Sequence, residues 1–338
     1  MTKPKVKLAF LDHSYHFKTR SGDFLRNIFN KEFLIKDFWV DKNLKFNEDF
    51  CLYENYFFFQ ILPPIKILEK LKGKNIMWAP MYDSPHHPIG LSPLLWRIIN
   101  FYNIKVLSFS KKLSDLMSES NVNFIDLRFY KKSVIKKVKK KSKVNIFFWY
   151  RNDLKVENWV DLFNPLIVNK IDLFSHGEKK KLLISKDIKK KFRINYINKK
   201  FTKNNNFLKI LNKNDIFIAP RKIEGIGMGM VEALAHGKYV IGYNESTMNE
   251  YIQNKKIGLL IPSNQNFTIS LLNKYSNYRF KVNNIFYQKW KKDKSKILNF
   301  FNSKNKVKKN NKIIFFSICL NFYSRLIIRR FSLFVGLK

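Results

Sequence analysis

Cysteine is almost missing from this chain: Cys51 and Cys319 are the only two among 338 residues, far apart in sequence. That excludes a disulfide framework and a multi-cysteine zinc site, and it fits a reducing cytoplasm. Acidic residues are scarce as well, 25 Asp and Glu against 65 Lys and Arg, which leaves a formal net charge of +40. Met1–Lys7 is basic but leads into a short apolar strand, Leu8–Leu11, rather than the core of a secretion signal, so no signal peptide is expected. The uncharged stretch Ile313–Ser324 falls short of the about 20 apolar residues that a bilayer-crossing helix needs. Linkers rich in Gly or Ser and short-period repeats are absent too.

What is abundant is core material. Hydrophobic residues make up 45% of the chain and include 33 Phe, which excludes global disorder despite the charge. At this length a single core has reached its usual limit, so two domains are expected. The basic surplus favours polyanionic partners: nucleic acid, an anionic membrane surface or a phosphorylated substrate. Part of it reads as solvated surface in a sequence saturated with Lys, Asn, Ile and Phe. The lysine clusters at Lys131–Lys143, Lys179–Lys181, Lys189–Lys191 and Lys304–Lys312 are scattered, and none carries the basic-aromatic signature of an RNA-binding strand. No specific nucleic acid is therefore expected.

Apolar runs alternate with amphipathic segments from the start. Strands are expected at Val6–Leu11, Phe33–Val40, Tyr56–Leu62, Asn75–Ala79, Lys105–Phe109 and Asn123–Phe129. Helices are expected at Asp23–Phe29, Pro64–Leu71, Pro93–Asn100 and Lys111–Glu119. This is the rhythm of a parallel, doubly wound sheet. Lys131–Lys143, with eight lysines, breaks it and marks a boundary. A second series follows: strands at Val144–Trp149, Asp215–Ala219, Tyr239–Tyr243 and Gly258–Ile261, helices at Val156–Val168, bent or ended near Pro165, at Met228–Ala235 and at Met248–Gln253. The expected domains are 1–142, 143–285, and a basic helical tail, 286–338.

The most informative stretch is 216–262. A buried strand stops at Pro220, and a short loop delivers Glu224, Gly225, Ile226 and Gly227 to a helix that opens at Met228 and closes at Gly237. Glycines there let the backbone approach a ligand, and a helix N-terminus offers unpaired N–H groups to a phosphate. Glu224 and Glu232 stand eight residues apart, one in the loop and one about a turn into the helix. A carboxylate pair beside a phosphate cradle suits a sugar nucleotide. Taken alone, the same spacing also describes tight packing with two solvated glutamates.

The run E-G-I-G-M-G-M-V-E-A-L-A-H-G-K-Y-V-I, followed by Glu250-Tyr251-Ile252 and Gly258–Pro262, resembles the E-x7-E signature of retaining glycosyltransferases of family 4. The resemblance implies the GT-B fold, an α/β architecture of two Rossmann-like doubly wound domains facing each other across a cleft. It implies that Glu224 binds the donor sugar's hydroxyls, Glu232 the ribose, and the amides around Gly225–Gly227 and Met228 the sugar or the β-phosphate. Ile226 stands where the family has an aromatic, Lys238-Tyr239 replaces a residue–Pro pair, and Asn244–Thr247 replaces a glycine-rich loop. Glu250 reads equally as a structural residue closing the next helix.

After the first strand of this second series, Arg151 and Lys155 stand where the family places two cations against the leaving diphosphate. The spacing is one residue shorter than the family's and the flanking glycines are missing, and in so basic a chain chance placement is a competing account. In the first domain, Ser21 and Gly22 precede a helix where the family keeps a glycine-rich loop against the donor phosphates; Ser21 reads equally as an N-cap. His13, His16, Tyr82, Asp83 and His86 lie near strand ends on the acceptor side. A zinc site among them is disfavoured, since the adjacent His86 and His87 lack spaced ligand partners. D-x-D occurs nowhere, in keeping with a metal-independent site.

The expected activity is retaining transfer of a hexose-type sugar from a nucleotide-diphosphate sugar to a cell-surface glycan or lipid-linked acceptor, with no cofactor and no metal. The competing readings are a basic nucleic-acid-binding protein and a GT-B-like chain without catalysis. The expected location is the cytoplasmic face of the membrane, held there by basic charge; the tail from Ile313 reads either as an interfacial helix or as a clamp across the domains.

Overall fold

The computed structural model describes residues 5–41, 48–83, 93–134, 142–150, 157–160, 162–175, 184–197, 204–219, 221–253, 255, 257–262 and 276–304. Of the residues singled out above, His86, His87, Arg151, Lys155, Lys179–Lys181 and Pro220 lie outside them, as do residues 135–141 of the lysine run and everything after Lys304.

The chain forms two compact units, Met1–Leu127 joined by the chain from Lys294 on, and Arg128–Asp293. The first carries β1 (Val6–His13), α1 (Ser14–Thr19), α2 (Asp23–Phe29), β2 (Phe33–Val40), β3 (Asn55–Phe59), α3 (Ile65–Lys70), β4 (Asn75–Ala79), α4 (Pro93–Phe101), β5 (Lys105–Ser108), α5 (Lys111–Glu119) and β6 (Phe124–Asp126). Its six strands pair in parallel in the order β2-β1-β3-β4-β5-β6. Strands covered on both faces read as continuous apolar runs, as Leu8–Leu11 and Tyr56–Phe59 do, all essentially without solvent contact.

The second unit carries β7 (Val144–Tyr150), α6 (Glu157–Val160), β8 (Val168–Ser175), α7 (Lys186–Lys191), β9 (Ile194–Ile197), α8 (Asn204–Lys213), β10 (Ile216–Ala219), α9 (Met228–Ala235), β11 (Tyr239–Tyr243), α10 (Met248–Tyr251), β12 (Gly258–Ile261) and α11 (Ser276–Asp293). Its parallel sheet runs β12-β11-β10-β7-β8-β9. Counted from β7, that is the 3-2-1-4-5-6 order of the dinucleotide-binding fold, with the reversal of direction between β7 and β10. After α11 the chain forms α12 (Ser295–Asn302), which packs on α2 and β4 of the first unit.

The expected α/β class holds, and several elements differ from the sequence reading. No helix spans Val156–Val168: α6 is a single turn, Pro165–Ile167 forms a 3-10 turn capped by Asn164, whose side chain accepts from Leu166 N, and Val168 opens β8. β3 ends at Phe59 because Gln60 takes a left-handed backbone (φ 65°). The lysine-rich run was the expected boundary, yet the chain changes units at Leu127/Arg128. Phe129 packs edge-on against Trp290, and Tyr130 stacks on Phe286, so this stretch is already part of the second unit's core.

Candidate functional site

In open parallel sheets ligands bind outside the carboxyl ends of the strands where the strand order reverses. In the second unit that place lies between β7 and β10, and the loop leaving β10 is the glutamate–glycine loop. Gly227 is the N-cap of α9 in a left-handed backbone (φ 67°), with no side-chain cap on the helix. A left-handed N-cap without a side chain leaves the first-turn amides uncovered, as an anion site requires. Gly229 lets the first turn lie against β7: a Cβ there would stand 2.8 Å from Trp149 Cζ3. Ile226 is buried, so its side chain anchors the loop and only its backbone can meet a ligand. The loop is tied from the other side by Thr247, fully buried, whose hydroxyl is shared between the carbonyls of Glu224 and Gly225.

The two glutamates sit in different surroundings. Glu224 is half-buried, and its carboxylate lies 3.3 Å from Arg221 Nη1. Glu232 is buried on α9, with one carboxylate oxygen on Lys131 Nζ and the other 3.4 Å from His236 Nε2. Burial pushes the Glu232 carboxyl up, and the hydrogen bond from His236 and the Lys131 charge outweigh it, so the group is held below the ordinary carboxylate range. Glu250 is ion-paired with Arg128. Arg128, Lys131, Arg221, His236 and Thr247 were not picked out from the sequence. Lys131 belongs to the lysine run that reads as a domain boundary. Arg221 and His236 stand three and four residues from Glu224 and Glu232, a pairing distance that could have flagged them, while Arg128 and Thr247 carry no such signal.

In the first unit the reversal lies between β1 and β3, and the loop after β1 holds His13, His16, Ser21 and Gly22. Asp12 is fully buried; His16 Nδ1 lies 2.6 Å from its Oδ1, and Arg26 Nη2 donates to its Oδ2 at 3.0 Å. Arg26 also donates to Asp37 and lies over the rings of Phe10 and Trp39. His13 is the N-cap of α1, its Nδ1 accepting from Tyr15 N. Ser21 does not cap α2: Gly22 holds that position, and the Ser21 hydroxyl bonds Thr19. A Cβ on Gly22 would meet Arg26 Nη1 at 2.7 Å and Asp12 Oδ2 at 2.9 Å, so the buried ion pair requires glycine. Tyr82 and Asp83, both half-buried, follow β4, with Lys112 Nζ over the Tyr82 ring. Glu224, Gly225, Ile226, Gly227, Met228 and Glu232 thus gather on one loop and helix of the second unit, and the acceptor-side residues on the first. Among the described residues no three His, Cys, Asp or Glu gather as a metal site, and no helix is long and apolar enough to cross a membrane.

Two Rossmann-like sheets, one with a glutamate–glycine loop at its switch point, define the GT-B architecture of glycosyltransferases. Within it, residues 135–277 match the model of the family described as glycosyl transferases group 1. No curated protein matches the chain by sequence. Among solved structures it is similar to sucrose-phosphate synthase from Thermosynechococcus elongatus, at 9% identity and a TM-score of 0.56 over 97% of this chain and 100% of that one. It is similar to WaaG, a glycosyltransferase involved in lipopolysaccharide biosynthesis, at 10% identity and a TM-score of 0.50 over 86% of this chain and 95% of that one. A TarM mutant of S. aureus, solved with fondaparinux, alpha-GlcNAc-glycerol and UDP, matches at 12% identity and a TM-score of 0.47 over 74% of this chain. The match spans 56% of the TarM chain's own length. At these identities the likeness is one of fold.

Proposed function

We propose that the protein is a retaining, metal-independent glycosyltransferase that moves a hexose-type sugar from a nucleotide-diphosphate sugar to a cell-surface glycan or lipid-linked acceptor. One observation carries this reading: Glu224 and Glu232 flank an uncapped helix N-terminus at the switch point of a 3-2-1-4-5-6 sheet. In this reading Glu224 accepts from the donor sugar's hydroxyls and Glu232 from the ribose. The amides from Gly225 to Met228 hold the β-phosphate. Arg151 and Lys155, which follow β7 in sequence, neutralise the leaving diphosphate. Charge builds on that group as the anomeric bond breaks, and cations placed beforehand stabilise it without reorganisation. Ser21 and Gly22 of the first unit would meet the donor phosphates, and His13, His16, Tyr82, Asp83 and His86 would line the acceptor side. The net charge of +40 supports peripheral docking on an anionic cytoplasmic membrane face, which salt-sensitive co-sedimentation with anionic vesicles tests.

Donors can be screened by thermal shift, since a ligand bound to the folded state raises its apparent stability. With the donor so found, Glu224→Ala is expected to lower transfer by roughly a hundredfold or more while the fold persists, the scale of losing one preorganised polar group. Wild-type turnover in that variant would remove Glu224 from the chemistry.

A further inference from the structure

The stretch from Arg128 to Val134, which carries the chain into the second unit, is stitched along that unit by side chains and backbone alike. Phe129 N donates to Tyr251 Oη at 3.2 Å, and Val134 N donates to Ala235 O at 2.8 Å, at the end of α9. Asn283 of α11, buried, donates to Lys131 O at 3.1 Å and to Ser133 Oγ at 2.8 Å. Two of its three cations take two of the motif's acids: Arg128 pairs with Glu250, and Lys131 with Glu232.

We propose that this strap is a positioning element of the donor site, with Lys131 holding the Glu232 carboxylate in the orientation that receives a nucleotide's ribose hydroxyls. The proposal rests on the reading of Glu232 as the ribose acceptor. A carboxylate offers about four lone-pair positions. Lys131 and His236 take one on each oxygen, which fixes the plane of the group and leaves the others for a vicinal diol. A buried carboxylate held this way is preorganised, so a nucleotide need not order it on arrival. Asn283 in turn fixes the backbone of Lys131 from α11, so the strap's seat and the carboxylate's orientation are one arrangement. Among the described residues, the charged and titratable groups acting on Glu232 are Lys131 from the strap and His236 from its own helix. Both favour the ionised form that accepts hydroxyl donors, and removing Lys131 leaves burial less opposed.

The experiment is calorimetry on the full chain with UDP and GDP as probes, repeated across pH 4 to 8. Lys131→Met is expected to weaken nucleoside diphosphate binding by about tenfold, the worth of roughly one charge-assisted hydrogen bond. It should also move the acid limb of binding to higher pH. Lys131→Arg should restore most of the affinity. Asn283→Ala, which touches no motif residue, should weaken binding in the same direction. An unchanged affinity and acid limb in Lys131→Met would reduce the strap to packing, and tighter binding would make Lys131 a competitor; either overturns the proposal. Glu232→Gln separates the two ideas: if it binds both probes like wild type, or if wild type binds neither, the ribose reading itself fails.

Discussion

Lys105, buried at the start of β5, ends on the last carbonyls of α12: its Nζ donates to Phe301 O and to Ser303 O, each at 2.6 Å. Asn75 Oδ1 is a third acceptor at 3.2 Å. An ammonium at a helix C-terminus meets unpaired carbonyls and the negative end of the helix dipole. Around it Phe301 packs edge-on against Phe29 and Phe33, so α12 is both plugged in by an aromatic ring and pinned by a charge.

Replacing Lys105 with Met keeps the volume and strands the two carbonyls. The expected cost is about 2–3 kcal/mol, the price of buried acceptors left without donors. Proteolysis should then cut near Asp293–Ser295, where the chain crosses between units. Burial pushes the Lys105 amine down to about 8. Its folded value thus lies below the ordinary 10.5 of the unfolded chain, so the unfolded state binds more protons between them and stability rises with pH there. Denaturation of wild type and Lys105→Met should therefore diverge further from pH 8 towards pH 10. Equal melting and equal cleavage would show that the ring alone seats α12.

Asp172 makes a second buried polar knot, inside the sheet of the second unit. It accepts from Lys170 at 2.7 and 2.9 Å, from Asn195 at 2.9 Å and from Asn214 at 2.8 Å. Burial pushes its carboxyl up, but the donors from Lys170, Asn195 and Asn214 outweigh it and leave the group below its ordinary value. A depressed carboxylate contributes stability that is present above the unfolded value and lost as pH falls through the folded one. Asp172→Asn, which cannot receive all these donors, should cost about 2–4 kcal/mol at neutral pH. The gap from wild type should narrow below about pH 4, near the reference carboxylate value. Urea titrations at pH 7 and 3.5 that show one constant gap would reject this account.

That same aspartate explains part of what sequence reading could and could not see. β2 and β4 are continuous apolar or alternating runs, and their expected and observed limits coincide. In β8 a buried charge sits among Ile171, Leu173 and Phe174 and hides the strand, while Pro165 and Val168 were read as part of a helix. α7 and α8 are rich in Lys and Asn and β9 is only four residues long, and each is held by neighbours distant in sequence, which no local pattern reports. The glutamate–glycine loop was legible because glycines, glutamates and helix limits fall close together in sequence. Lys131 was not, because only folding brings it against Glu232, 101 positions further on.

Gly229 gives the last test, on the contact that seats α9. In an exposed helix, Gly→Ala stabilises by about 0.5–1 kcal/mol through backbone entropy. Here the new methyl would stand 2.8 Å from Trp149 Cζ3, closer than real Cβ contacts come, and 3.2 Å from its Cε3. The indole has little room to yield, since it packs against Phe174 and Phe207. Overpacking of this kind costs about 1–3 kcal/mol, more than the entropy returns. Gly229→Ala should therefore destabilise, and it should weaken donor binding because relief comes from lifting the first turn of α9 away from β7. Trp149→Leu in the same chain should recover part of both losses, a coupling that a double-mutant cycle measures. If Gly229→Ala is more stable than wild type, or if the two substitutions simply add, the glycine is not there to let the helix close on Trp149.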